Sequence, residues 1–585
     1  MNTITYKPIR LFPAAENRQR WETVKDNKSV SGFIDNVISQ ADETLTGEII
    51  HITASAYIQF HTQGNRSNFE KLYTARRISL ENLVLAEALT YQGKYLNKIV
   101  DYIWAVLNEP SWCAPAHDNL HGSDVLPDCR TENVDLFSAS TAMTLSATLM
   151  LLEKELTEIS PNLVKRLRNT LLERAVLNIE ENLEHYWWAA GKNNWTPWIC
   201  SNLLNTAVIV LEDSERLTRY ANALKICVDR YIEQYSEDGC CDEGASYFFL
   251  SPARMGLFGE TLYQSSSGKV NIFKKPKIKR MGEFIADCWI NQNNFTAFAD
   301  CSAKIMTCNS HLRMYAQHTR STKMMNFCDN CTQSEKVEPW DAVIINLYRL
   351  FYPYKKNTAQ NERADFIKYY DKKEMIFAKQ EDFYIALKGG HNNENHNHND
   401  IGQFVIYYQN EPVIIDIGAE TYTRFTFSEH RYLIDSINHR SHNIIEFGGV
   451  GQKEGETHKA ENFQFTKNTD SFKVTMELKG CYPETAGIIS YTRDFVFSSK
   501  TGITISDSWQ TNSEKSIKLF LFSTNKITNG KLGRLNFECN HDHLTQKYPV
   551  HDERMRKSWG TMLYKTEIYS TQISNNGNLI MKINV

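Results

Sequence analysis

Two patterns of apolar residues divide the chain. From Ile78 to Leu89 (ISLENLVLAEAL) and from Phe137 to Leu156, apolar side chains recur at three- and four-residue spacing, which predicts helices. Leu163 to Leu183 and Leu217 to Tyr235 continue that period. Short polar stretches between such segments predict an all-α array over the first 355 residues. The character changes after Tyr354, where KKNTAQNERAD reads as surface loop, and residues 356–375 are expected to be a linker. Beyond it come β-type runs: Phe383 to Leu387, Phe404 to Ile417, Phe472 to Leu478, Ile488 to Phe497, Gly502 to Trp509 and Ile517 to Phe522. FVIYYQNEPVIIDIG predicts two strands around a Gln-Asn-Glu turn, and FVFSSKTGITISDSW a second hairpin. The fold class expected is therefore α+β and multidomain, with helices first and an antiparallel β-sandwich over residues 376–585.

A length of 585 residues exceeds what one core supports, in agreement with that division. The formal net charge is −4, from 65 basic and 69 acidic residues, so no global basic field favours nucleic acid. An anionic partner would have to be attracted by a local cleft. The 11 Trp and 28 Tyr suit either a large core or a cleft whose flat rings stack on sugars. No run of 18 apolar residues occurs and the N-terminus lacks an apolar signal region, so no membrane span is expected. Thirteen scattered cysteines suit free thiols and a cytoplasmic enzyme, and Cys328-Asp329-Asn330-Cys331 is read as thiols rather than a zinc site.

The densest chemistry lies in GGHNNENHNHNDIGQF, residues 389–404, where His391, His396 and His398 stand among asparagines. So polar a run is costly to bury unless each group finds a partner. If extended, HNH would present both rings to one face. Asp416 follows the next predicted hairpin, which returns it toward His398, and His442 lies further on in NHRSHNII. Two imidazoles and a carboxylate make a reasonable zinc set, against the plainer reading of a solvated loop.

HNHNDIGQFVIYYQNEPVIIDIG and ETYTRFTFSEHRYLIDSINHRSHNIIEFGGVGQ resemble the C-terminal domain of the heparinase II/III-like polysaccharide lyases. More loosely, WCAPAHDN, NNWTPWICSNLL and DGCCDEGASYFF are similar to that family's helical half. The resemblance implies an N-terminal incomplete (α/α) toroid, a C-terminal antiparallel β-sandwich and an active site between them. It implies that His396 is the catalytic histidine, Tyr247 the catalytic tyrosine, and His398, Asp416 and His442 the ligands of a zinc ion with a structural role. An asparagine that holds the substrate carboxylate is implied as well: Asn193, Asn194 and Asn202 all qualify, with Asn194 preferred. Trp195 stands where some relatives carry histidine, which departs from a two-histidine mechanism. The implied partner is an anionic polysaccharide or oligosaccharide, glycosaminoglycan first and alginate or another uronate polymer next; a homo-oligomer is left open.

β-Elimination needs those residue types. The C5 proton of a uronate becomes acidic only if neutral donors stabilise the enolate-like dianion, which an amide does without titrating. Histidine and tyrosine opposed across a cleft then serve as base and acid. Each residue has a plainer alternative: Tyr247 as core within SYFF, Asn194 as a helix cap, and His117 as a surface histidine rather than a cleft residue. Tyr432 is the second tyrosine considered. Arg424, Arg431 and Arg440 would either contact an anionic chain or form surface salt bridges. His391 and His430 receive no role. Two other classes compete. A glycoside hydrolase would need paired carboxylates, for which Asp242 and Glu243 are the candidates; an inactive carbohydrate-binding protein would keep the fold alone.

Overall fold

The runs Met375–Gln380, Phe383–Lys388 and Phe404–Tyr408 are apolar at nearly every position rather than at alternate ones, as strands covered on both faces require. The computed structural model describes residues 4–118, 124–128, 132–306, 309–338, 342–353, 364–570 and 574–585. In it these runs form the middle of a five-stranded antiparallel sheet, with Phe366–Tyr370 and Glu411–Ile414 as its edges. Successive side chains point to opposite cores. Met375, Phe377, Tyr384, Ala386, Val405 and Tyr407 pack with the helices. Ile376, Ala378, Ile385, Leu387, Phe404 and Ile406 pack into an all-β core.

The far side of that β core is a seven-stranded antiparallel sheet, whose centre is Ser471–Glu477, Ile488–Ser498, Gly502–Lys515 and Ser574–Asn584. A four-stranded sheet containing Ile517–Ser523 and Met562–Tyr569 extends the structure. Both predicted hairpins are present. Gln409 and Asn410 join the first in left-handed conformation, at φ of 50° and 66°, the geometry that a two-residue turn demands. Residues 356–363 of the expected linker lie outside the described residues, and the rest of it is corrected. Phe366–Tyr370 lies within it but is a strand, paired from Tyr370↔Met375 to Phe366↔Lys379. Its Tyr370 is buried and donates to Asp287 Oδ2 at 2.7 Å, a tie to the helical half that a linker would lack.

In the helical half, Ser67–Thr90, Leu136–Ile159, Trp195–Val210, Pro252–Ser265, Ser310–Thr319 and Ala342–Phe351 pack in succession, and the last returns to Leu136–Ile159. Ser31–Thr46, Pro161–Leu171 and Ser214–Gln234 lie outside them. Leu136–Ile159 is long and apolar enough to cross a membrane, but 89% of its apolar window is buried in protein, so its composition reflects burial among helices. The predicted helix from Leu163 to Leu183 is interrupted by a π-turn at Leu172–Leu177. Cys328 and Cys331 are both buried.

One ion pair ties the β core to the segments around the histidines. Arg493 and Asp507, register partners in adjacent strands, are fully buried and joined by two hydrogen bonds of 2.7 and 2.8 Å. Arg493 Nη1 also donates to the carbonyls of Gly402 and Asn443, each at 2.8 Å. Arg493→Met strands a buried carboxylate and should destabilise the chain by roughly 3–5 kcal/mol in urea unfolding. The double variant Arg493→Met/Asp507→Leu should recover much of that loss; a double variant no better than the single would show that the pair's charge is not the cause.

Candidate active site

Asp300 comes from the helical half, between Ala299 at φ +60° and Cys301, and its side chain is fully buried. Every donor to its carboxylate comes from the β half. Oδ2 accepts from His396 Nδ1 at 2.9 Å and from Tyr422 OH at 3.0 Å. Oδ1 accepts from His398 Nε2 and from Arg431 Nη2, both at 2.9 Å. Burial pushes the Asp300 pKa up, but the bonds from His396 and His398 and the Arg431 charge outweigh it and hold the carboxyl well below its ordinary value. The chain can approach so closely here because Gly418, at φ +77°, faces the Cys301 carbonyl; a Cβ there would lie 2.4 Å from that oxygen.

His396 is not on a strand. It sits in a loop at φ +58°, so the expectation of an extended HNH is overturned: the two rings meet one carboxylate from a turn rather than one sheet face. With Nδ1 donating to Asp300, a neutral ring has its lone pair on the other nitrogen, Nε2. Nε2 lies 3.4 Å from Asn194 Nδ2. Tyr247 stacks on the imidazole, with ring centroids 3.9 Å apart and planes 19° off parallel. Its hydroxyl is 2.5 Å from that of Tyr422. Burial, and then the Asp300 charge, push the Tyr247 pKa well above its ordinary value, against the pull of Arg554; the phenol is protonated at neutral pH.

Tyr247 belongs to the short helix Gly244–Phe248 and is only partly buried; Phe248 and Phe249 of the same run supply the core contacts. Asn194 precedes the helix Trp195–Val210 without capping it through its side chain. One amide hydrogen instead meets Glu243 Oε1 at 3.1 Å. Burial, and then Asp242, raise the Glu243 pKa to about 8.

Behind this group lie His398, Asp416 and His442, each buried, with ligand atoms within 4.8 Å of one another. His398 Nε2 is engaged by Asp300, and His442 Nδ1 lies 3.2 Å from Asp416 Oδ2. The remaining nitrogens, His398 Nδ1 and His442 Nε2, are buried without hydrogen-bond partners. Orphaned polar atoms of this kind are costly, and a metal ion would satisfy both. Asp416 is further oriented by Gln403 Nε2 at 2.8 Å and by the Gly418 amide at 2.9 Å, as second partners orient metal ligands. The donor set fits zinc.

A cleft of about 920 Å³ opens in front of His396, Tyr247 and Asn194. Asn193 and His117 also line it. His117, a candidate cleft residue with a surface position as its alternative, lines the cleft and is held by Asp135 at 2.7 Å and Arg66 at 2.9 Å. Other expected residues do not reach the cleft. Asn202 is wholly buried in its helix and donates to Ser140. Tyr432 lies outside the cleft lining; the second tyrosine there is Tyr422. Arg424 packs over Gly64, and Arg440 pairs with Glu446 at 2.6 Å, so neither lines the cleft. Arg431 is spent on Asp300. The lining cations are Arg66, Lys71, Arg254, Arg554 and Lys557. Asp242 is paired with Lys373 and Glu243 is buried behind Asn194, so the carboxylates considered for hydrolysis do not face the cleft. Sequence reasoning missed Asp300, Tyr422 and Arg554. Tyr422 lay within the recognised ETYTRF segment, whereas Asp300 and Arg554 carried no motif.

No protein-family model matches the sequence, and no curated protein matches it. Solved structures do. Heparinase III matches over 100% of this chain and 87% of its own, with TM-score 0.69 and 12% identity. A heparan sulfate lyase from Pedobacter heparinus covers 97% of this chain and 87% of its own, with TM-score 0.55 and 12% identity. A chondroitin AC lyase from Streptomyces coelicolor covers 97% and 82%, with TM-score 0.53 and 10% identity. The chain thus has a heparinase-like polysaccharide-lyase fold, built of helices followed by antiparallel sheets.

Proposed function

We propose that this chain is a polysaccharide lyase that cleaves a uronic-acid-containing polysaccharide or oligosaccharide, glycosaminoglycan foremost, by β-elimination. The observation that carries this reading is the meeting of Asn194, Tyr247 and His396 in one cleft, with Asp300 fixing the histidine. The ring of helices, taken with the fold likeness, supports the incomplete (α/α) toroid of such enzymes.

In this mechanism Asn194 donates to the uronate carboxylate and stabilises the charge that builds up as C5 is deprotonated. Glu243, uncharged below about pH 8, holds the amide without repelling that carboxylate. His396 Nε2 takes the C5 proton, and Asp300 stabilises the imidazolium that results. The C5 electrons form the C4–C5 double bond, the C4–O bond breaks, and Tyr247 gives its proton to the departing oxygen. Tyr422 holds the Tyr247 hydroxyl in place. A zinc ion held by His398, Asp416 and His442 would cross-link the loop carrying His396 to the segments behind it, in a structural role.

Four outcomes test this reading. Incubation with uronate polysaccharides should raise ultraviolet absorbance from the conjugated double bond. Tyr247→Phe and His396→Ala should each lower kcat by roughly 10²–10⁴-fold while binding persists. Undiminished turnover in either variant would remove that residue from the chemistry, and new reducing ends without the absorbance would indicate a hydrolase. Because the Glu243 pKa is raised to about 8, the carboxyl ionises as pH passes upward through that value. The KM for an anionic substrate should therefore climb above that pH, and Glu243→Gln should flatten the climb; a climb that survives the substitution has another source. Metal analysis should find zinc in the wild type, and chelation or His442→Ala should lower Tm; a metal-free protein of unchanged Tm would exclude the ion.

A further inference from the structure

The helical wall of the cleft carries a row of rings that ends in a fixed cation. Trp187 lies on the short turn Trp187–Ala190 and is 52% exposed, while its neighbour Trp188 is 1% exposed. Solitary exposed apolar side chains need no explanation, but the backbone that presents this one is held in place. Trp188 anchors the turn by donating from Nε1 to the Val134 carbonyl at 2.9 Å, and Gln234 Nε2 donates to the Ala190 carbonyl at 3.0 Å. The Trp187 ring packs on that of Trp195, with centroids 4.7 Å apart, and Trp195 meets the His117 ring at 4.6 Å. His117 donates from Nδ1 to Asp135 Oδ2 at 2.7 Å, which leaves Nε2 to accept from Arg66 Nη2 at 2.9 Å. Trp187, Trp195, His117 and Arg66 all line the cleft, and Trp195 directly follows Asn194 in the chain.

Arg66 is fixed from two sides, since Glu70 accepts from Nε and His117 from Nη2. A guanidinium carries five N–H groups, and Arg66 makes no other hydrogen bond among the described residues. Lys71, which also lines the cleft, offsets the charge of Glu70 there. We propose that this row is a second saccharide subsite, for an acidic sugar next to the one that reacts. Trp187 and Trp195 take the apolar face of its ring, and Arg66 takes its carboxylate or sulfate ester. Indole rings offer flat apolar area to the C–H face of a sugar. A guanidinium already held in one orientation donates to an anionic oxygen group without first ordering a free side chain. His117 is a positioning residue here, because both of its nitrogens are engaged. The subsite rests on the saccharide reading above, but it concerns affinity and takes no part in elimination.

The test is a binding measurement on the His396→Ala protein, in which turnover is removed. Calorimetric titrations use a tetrasaccharide of alternating glucuronate and N-acetylglucosamine, its neutral carboxyl-reduced counterpart and its sulfated form. Trp187→Ala should weaken binding of all three. Arg66→Gln should weaken the acidic forms by at least about tenfold and leave the neutral one unchanged. A loss confined to the sulfated form would identify a sulfate ester as the group at Arg66, and a loss shared by the unsulfated form a carboxylate. An equal loss for the neutral form would show that Arg66 only supports the wall, and would overturn the anion site. Affinities unchanged in both variants, or no binding of any of the three to the parent, would overturn the subsite. Each variant is checked by circular dichroism. If Arg66→Gln does not fold, Arg66→Lys keeps the charge without the planar fork and should show a smaller loss with the same selectivity, and no loss would refute the site. Ultraviolet product formation is followed separately with His396 intact. Variant-sensitive binding without lyase activity would keep the subsite and remove the elimination reading, and activity with variant-insensitive affinity would do the reverse.

Discussion

One buried carboxylate, Asp300, ties the two halves of this protein together at the candidate site. Asp300 is contributed by the helical half, and all four of its side-chain donors, from His396, His398, Tyr422 and Arg431, belong to the β half. An ionised carboxylate is costly to bury alone, and its burial is tolerable only when its oxygens are filled by charged or strongly polar donors. The requirement runs both ways. Without Asp300, the His396 ring would lose the partner that fixes its tautomer, Arg431 would be left as an uncompensated buried cation, and His398 would lose the bond that orients its ring. The orientation of His396, that of the candidate metal ligand His398 and a contact between the halves thus share one set of oxygen atoms.

The five-stranded sheet provides the rigid floor on which this is possible. Its central strands have no solvent face, since alternate side chains enter the helical core and the β core. A shift of one residue in register would exchange the two sets, so the register is strongly specified. The polar loop from Asn393 to Asp400 hangs between two of those strands, and the surrounding ties account for its fixed shape. Lys388 pairs with Asp400 at 2.5 Å, Arg493 holds the Gly402 carbonyl, and Asn399 and Ile401 bond to Gln452. Irregular backbone at this depth is held by such individual bonds to side chains and carbonyls.

Charge is distributed locally in a chain whose net charge is only −4. Arg66, Lys71, Arg254, Arg554 and Lys557 line the cleft, drawn from segments far apart in sequence, against Glu70, Glu338 and Glu553. A cleft with low-dielectric walls focuses such charge, so a local field does not require a global one. Glu243, which accepts from the Asn194 amide, is kept from adding to the negative side because burial and Asp242 raise its pKa.

The sequence alone determined the order of helices and strands, because burial on one or two faces leaves a period in the letters. It also determined which residues were candidates for the chemistry: His396, His398, Asp416 and His442 are set in a distinctive polar and apolar context, and Tyr247 and Asn194 lie in segments that resemble a known pattern. Which candidates meet was decided only by the tertiary structure. Asn202 has the right side chain but faces a helix core, and Arg424 and Arg440 have the right charge but are directed elsewhere. Tyr432 and Tyr422 are equivalent as letters, and only the fold puts the second against Tyr247. Asp300 lies 96 residues before His396 in a segment with no motif, and no local period encodes a contact over that separation. Its role arises from a hydrogen bond that exists only once both halves have folded, and for that reason it could not be read from the chain.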